Sequence, residues 1–181
     1  DLPRTPTELS KWAGEVLGRP YESETFTLDD VYDAIEGAVN DFALELIGPI
    51  DKPGASREVE RLRALRDIEQ SYFKGRTNSA AMKARQQFST PLPIAEAAAY
   101  AAGVRPGVDK VLEPTAGTGN LVNFIRGVAK QIDVNELEPR RVAVLRALGL
   151  NPTSEDALRL QLSGRRYNVI ITNPPYGSIK K

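Results

Sequence analysis

The stretch that leaves this chain least freedom is residues 167–176, Tyr-Asn-Val-Ile-Ile-Thr-Asn-Pro-Pro-Tyr. Residues 167–172 are a β-branched run too short for a helix and closed by two prolines, which reads as a buried strand of a parallel sheet ending at Thr172. That commits the chain to an α/β sheet, and open sheets of this class bind ligands at the carboxyl ends of their strands. The loop at this end is stiff. Pro174 and Pro175 have fixed φ and no backbone N–H, so the neighbouring carbonyls are aimed rigidly and are not consumed by local turns.

Acceptors dominate the loop. The carboxamide oxygen of Asn173 and the carbonyl of Pro174 suit two hydrogens of one exocyclic NH₂ group, and the ring of Tyr176 suits the flat system that carries it. Two acceptors on one amine draw its hydrogens out of the ring plane, localise the lone pair and make the nitrogen a better nucleophile, with no strong base required. The plainer alternative for these four residues is a proline-rich exit from a strand.

The 181 residues are 41% hydrophobic, enough for one domain with a helical appendage. No apolar run approaches the roughly 20 residues of a transmembrane helix and no charged-then-apolar leader is present, so a cytoplasmic location is expected. Twenty-four basic residues balance twenty-four acidic ones, and any nucleic-acid surface must be local. The chain has neither cysteine nor histidine. This excludes thiolate nucleophiles, His general bases, Cys/His zinc sites and disulfides.

Residues 1–85 read as helices. Thr5-Pro6 starts one, with Leu9, Trp12, Val16 and Leu17 at helical spacing and Gly18 as its stop. Thr27 caps a second, whose stripe is Leu28, Val31, Tyr32, Ile35, Ala38, Val39, Phe42, Leu46 and Ile47, ended by Gly48-Pro49. After a turn at residues 51–54 a third runs from Ser56, with Val59, Leu62, Leu65, Ile68, Tyr72 and Phe73 inward. Arg57, Glu58, Glu60, Arg61, Arg63, Arg66 and Glu69 form its solvated face. Residues 70–95 hold no acid but carry Lys74, Arg76, Lys83 and Arg85, either phosphate contacts or an ordinary basic loop.

Phe88-Ser89-Thr90-Pro91 opens an alanine-rich helix with Thr90 as its cap, and its N-terminus offers N–H groups to an anion. Residues 108–112 then form a strand ending in Glu113-Pro114-Thr115-Ala116-Gly117-Thr118-Gly119-Asn120, followed by a helix through Leu121, Phe124, Ile125 and Val128. Strand, glycine turn and helix is the arrangement in which a nucleotide-bearing ligand approaches the backbone. Val122 replaces the third glycine of the dinucleotide fingerprint, and Glu113 beside the turn repels a pyrophosphate but suits an α-ammonium group. Residues 131–135 form a second strand, polar for its place because of Asp133 and Asn135. It ends at Glu136, where an acid binds a ribose diol, with Glu138 as its competitor. Pro139 opens a helix that Gly149 stops. Asp156, after a short third strand, is either the partner of an adenine amine or a helix cap.

With these motifs in this order, residues 86–177 resemble the S-adenosylmethionine-dependent DNA amino-methyltransferases that modify adenine. They are also similar to the methylase portions of restriction-modification proteins and of phage or mobile-element methylase–helicase fusions. The resemblance implies a Rossmann-like methyltransferase domain at residues 86–181 behind an N-terminal helical region at 1–85, with a partial sheet in the order 3-2-1-4. It implies that Thr90, Thr115 and the Gly117 and Gly119 backbone hold the methionine end of S-adenosylmethionine, with Glu113 near its ammonium. Glu136 is then expected on the ribose and Asp156 on the adenine amine of the cofactor.

On the same resemblance Asn173 and the Pro174 carbonyl grip the amine of an adenine flipped out of DNA, and Tyr176 stacks on the base. Flipping costs a few kcal/mol, and stacking returns about 1–3 kcal/mol. Methylation of cytosine carbon-5 needs a covalent thiolate and is excluded. The family's sheet has seven strands and a target-recognition region, of which four strands are accounted for, so either a longer chain or a partner is expected to complete it. Two alternatives stay open: methyl transfer to an RNA base or a glutamine amide, and a cofactor-binding or scaffold module inactive alone.

Overall fold

A computed structural model describes residues 27–50, 55–73, 88–162 and 164–175, apart from the side chains of residues 28, 55 and 56. The expected helix at Thr5–Gly18, the turn at 51–54, the cations Lys74, Arg76, Lys83 and Arg85, and Tyr176 lie outside these residues. In chain order the elements are α1 (Leu28–Ile47), α2 (Ala55–Phe73), α3 (Leu92–Ala102), β1 (Lys110–Glu113), α4 (Asn120–Asn123), β2 (Gln131–Val134), α5 (Pro139–Ala147), a 3₁₀ turn (Ala157–Arg159) and β3 (Val169–Ile170). Among the described residues no helix is long and apolar enough to cross a membrane.

The sheet is parallel, in the order β2-β1-β3. Val111 stands opposite Ile132 on one side and Val169 on the other. The expected third strand shrinks to a single parallel bridge between Asn135 and Thr153 beside β2, because Pro152 next to Thr153 has no N–H to extend a ladder. The spatial order is therefore the expected 3-2-1-4 with its first member reduced to one residue pair. β3 is also shorter and less buried than its composition suggests. Ile171 is buried but Ile170 is 62% exposed, and among the described residues β3 pairs with β1 alone.

Helix α1 begins as its sequence dictates. The Thr27 hydroxyl accepts from the Asp30 N–H while the Asp30 carboxylate returns a bond to the Thr27 N–H, a reciprocal cap. Replacing Thr27 by Ala is expected to cost about 1 kcal/mol of stability, read as a lower midpoint in urea melts. Along the helix Val31, Tyr32, Ile35, Val39 and Ala43 are buried, whereas Phe42 and Leu46 of the expected stripe are exposed. A second, polar face carrying Asp33, Glu36 and Asn40 is buried as well. Gly37 lies on it, and a Cβ there would stand 2.5 Å from Cγ1 of Val144 in α5. The missing side chain is what lets the two helices approach.

Two members of the expected solvated face of α2 are instead inside, Glu58 and Arg61. For Arg61 the reason is helix termination: its guanidinium donates to the carbonyls of Ile47 and Gly48 at the end of α1 and pairs with the buried Glu96 of α3. Burial, opposed by Arg61, raises the Glu96 carboxyl above its ordinary range. Helices on both sides of residue 86 thus share one core, in which Leu92 and Phe124 pack with Val31, Ile35, Val39, Leu65 and Ile68. A second cluster joins α3, the sheet and α5 through Ala95, Val111, Ile125, Val134 and Leu145.

Candidate active site

Three loops meet at the carboxyl ends of the strands. The loop after β1 turns at Gly117, whose φ of 58° is costly for a side-chain-bearing residue, and again at Gly119, φ 90°. The loop after β2 begins at Asn135, and the loop after β3 is Asn173-Pro174-Pro175. They enclose, with Phe88-Ser89-Thr90, a cavity of about 900 Å³. Thr90, Thr115, Gly117, Glu136, Asp156, Asn173 and Pro174 line it; Glu113 and Gly119 do not.

Direct bonds tie the loops together. The Thr115 and Thr172 hydroxyls lie 2.8 Å apart, and the Asn173 side-chain Nδ2 donates to the Thr90 hydroxyl at 3.0 Å. Gly117 N–H donates to Glu136 Oε2 at 2.7 Å, and Glu138 N–H to Glu136 Oε1 at 2.8 Å. Each oxygen of a carboxylate accepts two bonds, so this one retains acceptor capacity toward the cavity while it braces the glycine turn.

Several expectations change here. Thr90 does not cap α3: the helix starts at Leu92 with no cap bond from its own flank, and the Leu92 N–H is taken by Glu69 of α2 at 3.0 Å. That carboxylate occupies the end of the helix that the sequence leaves open to an anion. The Thr90 side chain is committed to Asn173. Glu113 is 1% exposed and lies behind the cavity wall, so it does not reach an ammonium group in the cavity; its Oε1 accepts the Thr115 N–H at 3.0 Å and hydroxyl at 3.2 Å. Burial pushes this carboxyl up to about 7, against the pull of the Thr115 N–H.

Gly119 serves packing rather than the cavity, since a Cβ there would meet Cδ2 of Leu145 at 3.1 Å. The helix expected from Leu121 to Val128 is only the single turn α4, continued by i to i−3 bonds at Ile125 and Val128. Asp156 accepts the Leu158 N–H at 3.0 Å and so caps the 3₁₀ turn while also lining the cavity.

Four residues to which the sequence assigns no role in the site do much of the positioning. Asn135, which looked too polar for its strand, donates to the carbonyls of Pro114 and Glu155 and accepts from Thr153 and Glu155. It pins the ends of three neighbouring segments. Asp133, the other polar residue of β2, accepts the Tyr167 hydroxyl at 2.6 Å and so fastens the approach to β3. Asn120 links the glycine loop to Thr90 and to α1. Arg141, buried beside the Gly117 turn, pairs with Asp33 of α1. The one signal available in the sequence was polarity where an apolar strand or helix face was due.

No family model and no curated protein matches this chain. Among solved structures it is similar to a candidate RNA methyltransferase from Pyrococcus horikoshii, with 27% identity and a TM-score of 0.50, over 68% of this chain and 62% of that one. It is also similar to TrmN from Thermus thermophilus, with 21% identity and a TM-score of 0.41, over 78% of this chain and 58% of that one. The chain therefore spans about three fifths of the length of these proteins. The parallel order β2-β1-β3, with the glycine turn after its middle strand and helices against it, is the α/β fold of the methyltransferases.

Proposed function

We propose that this chain carries the cofactor site and amine clamp of an S-adenosylmethionine-dependent methyltransferase whose acceptor is the exocyclic amine of an adenine flipped out of DNA. One observation carries the reading: the Gly117 turn and the Asn173-Pro174-Pro175 loop line the same cavity and are tied together by Thr115–Thr172. The cavity volume falls within the roughly 300–1,000 Å³ usual for small-molecule sites. Its walls suit the ligand: backbone bare of side chain at Gly117, and carboxylates at Glu136 and Asp156 for ribose hydroxyls and an adenine amine.

S-adenosylmethionine, when bound, supplies an electrophilic methyl group on a sulfonium centre. The chain does the rest. Glu136 and Asp156 hold the nucleoside end, Thr115 and the Gly117 turn hold the methionine end, and Asn173 with the Pro174 carbonyl orients the acceptor nitrogen for in-line attack. Orientation of this kind is worth effective molarities of about 10⁵ M or more. Glu113 acts one layer back, fixing Thr115. Loss of the Glu136 carboxylate removes a charged acceptor from the cavity and the brace on Gly117. Glu136→Ala is therefore expected to weaken cofactor binding about 10-fold or more in calorimetry; an unchanged dissociation constant would mean another acid holds the ribose.

A second acceptor, an RNA base, is favoured by the likeness to the P. horikoshii protein. Methyl transfer from labelled cofactor to DNA, RNA and a glutamine peptide separates the acceptors. Labelled adenine in DNA supports the proposal, labelled RNA alone moves it to the second reading, and labelled peptide alone overturns both. Cofactor binding without turnover on any acceptor marks a module that needs a further chain, one that completes the sheet beyond β3.

A further inference from the structure

A chain of hydrogen bonds leads from the polar face of α1 into the clamp. Glu36, buried at 2% exposure, accepts the Ser89 hydroxyl on Oε2 at 2.9 Å and the Asn120 side-chain N–H on Oε1 at 3.1 Å. The same Asn120 amide donates to the Thr90 carbonyl at 2.8 Å. The Thr90 hydroxyl in turn accepts the Asn173 amide at 3.0 Å. Asn40, one helical turn beyond Glu36, fixes which way Asn120 faces by donating to its Oδ1 at 2.8 Å and to the Thr118 carbonyl at 3.1 Å.

A carboxylate is costly to bury, and a helix needing only to pack would carry an apolar residue there. Glu36 instead places one oxygen on Ser89, the residue before Thr90, and the other on Asn120, whose amide holds the Thr90 carbonyl. Both are held from the same side. Thr90 is thereby held at its carbonyl and through its neighbour Ser89 before its hydroxyl meets Asn173, and a carboxamide gripping a target amine needs a set rotamer more than it needs a charge.

We propose that α1 is a positioning element of the active site: Glu36, acting through Ser89 and Asn120 on Thr90, sets the orientation of the Asn173 carboxamide. This rests on the reading of Asn173 as the amine clamp, and it assigns the Thr90 hydroxyl to the clamp and not to the cofactor. Glu36 is a positioning residue, since it lies outside the residues that line the cavity. Turnover, and not cofactor affinity, is what its loss changes.

The test uses the whole chain with Glu36→Ala, Thr90→Val, the double variant, and Glu36→Gln and Thr90→Ser as conservative partners. Side-chain amide NMR of Asn173 in ¹⁵N-labelled protein reports the clamp without turnover. Glu36→Ala is expected to move the Asn173 Nδ2 resonances toward their Thr90→Val positions, and to lower kcat about 10- to 30-fold with the cofactor Kd changed less than about 3-fold. The double variant should be no slower than the worse single one, because both act through one path. Glu36→Gln and Thr90→Ser should recover most of the rate, since Ser89 can turn its hydroxyl to accept and serine keeps the acceptor. Ser89→Ala, which leaves the carboxylate in place, should shift the same resonances if Glu36→Ala fails to fold.

Asn173 resonances unmoved in the folded variants, or kcat losses that multiply in the double variant, would overturn the proposal. If the wild type neither binds the cofactor nor transfers a methyl group to any acceptor the reading of function fails, while the Asn173 resonances still decide whether α1 sets that side chain.

Discussion

Asn173→Ala is expected to reduce methyl transfer about 10²- to 10³-fold, while the cofactor dissociation constant stays within about 3-fold of wild type. The effect should fall on kcat. The side chain stands at the end of β3 on a loop stiffened by Pro174 and Pro175, and its amide is held by Thr90. Removing it takes away an acceptor that strengthens only as the amine pyramidalises on the way to the transition state, which is where an interaction lowers a barrier and does not merely tighten binding. Single-turnover rates with labelled cofactor, set beside calorimetry on the same preparations, separate the two quantities. Loss of cofactor binding equal to the loss of rate would show that Asn173 belongs to the cofactor pocket and not to the clamp.

The second large effect concerns stability. The Glu113 carboxyl is pushed from 4.5 up to about 7 mainly by burial, with the charge of Glu136 acting the same way. The folded chain therefore holds this proton more tightly than the unfolded chain does. The corresponding stability is whole below pH 4.5, drains away as the pH rises, and is gone above about 7; the shift corresponds to about 3 kcal/mol. Glu113→Gln keeps the shape and the acceptor for Thr115 but cannot ionise. Urea melts from pH 5 to pH 8 should show the wild type losing stability on that order and the variant losing far less, so that the variant is the more stable protein at pH 8. Parallel pH profiles would mean that Glu113 is not the group that titrates.

Much of this architecture was written in local chemistry. Thr27 and Gly48 bound α1 as their types require, Pro139 and Gly149 bound α5, and the glycine turn after β1 and the double proline after β3 fall on one rim of one sheet. What could not be read is long-range. Arg61 looks like a member of a charged outer face until the end of α1, 13 and 14 residues earlier, supplies two carbonyls for the guanidinium. Thr90-Pro91 looks like a cap until Glu69 takes the Leu92 N–H. Glu113 looks like a partner for a ligand until the Thr115 turn folds over it.

The polar face of α1 is the most instructive case. Periodicity finds the stripe Val31, Ile35, Val39 and gives no place to Asp33, Glu36 and Asn40, yet all three are buried. Their partners, Arg140 and Arg141 for Asp33, Ser89 and Asn120 for Glu36, and Asn120 for Asn40, are 53 or more residues away in the chain. No window along the sequence contains both ends of such a bond. A helical region that reads as an appendage is by this means bonded to residues that line the candidate site.

The central claim is that one cavity holds the cofactor beside the clamp, and a crystal structure with a stable S-adenosylmethionine analogue bearing an amine in place of the transferable methyl tests it most directly. The expected result is the adenosine against Glu136 and Asp156, the methionine end on the Gly117 turn, and the amine facing Asn173. Adenosine bound elsewhere, or an amine turned away from residues 173–175, would contradict it.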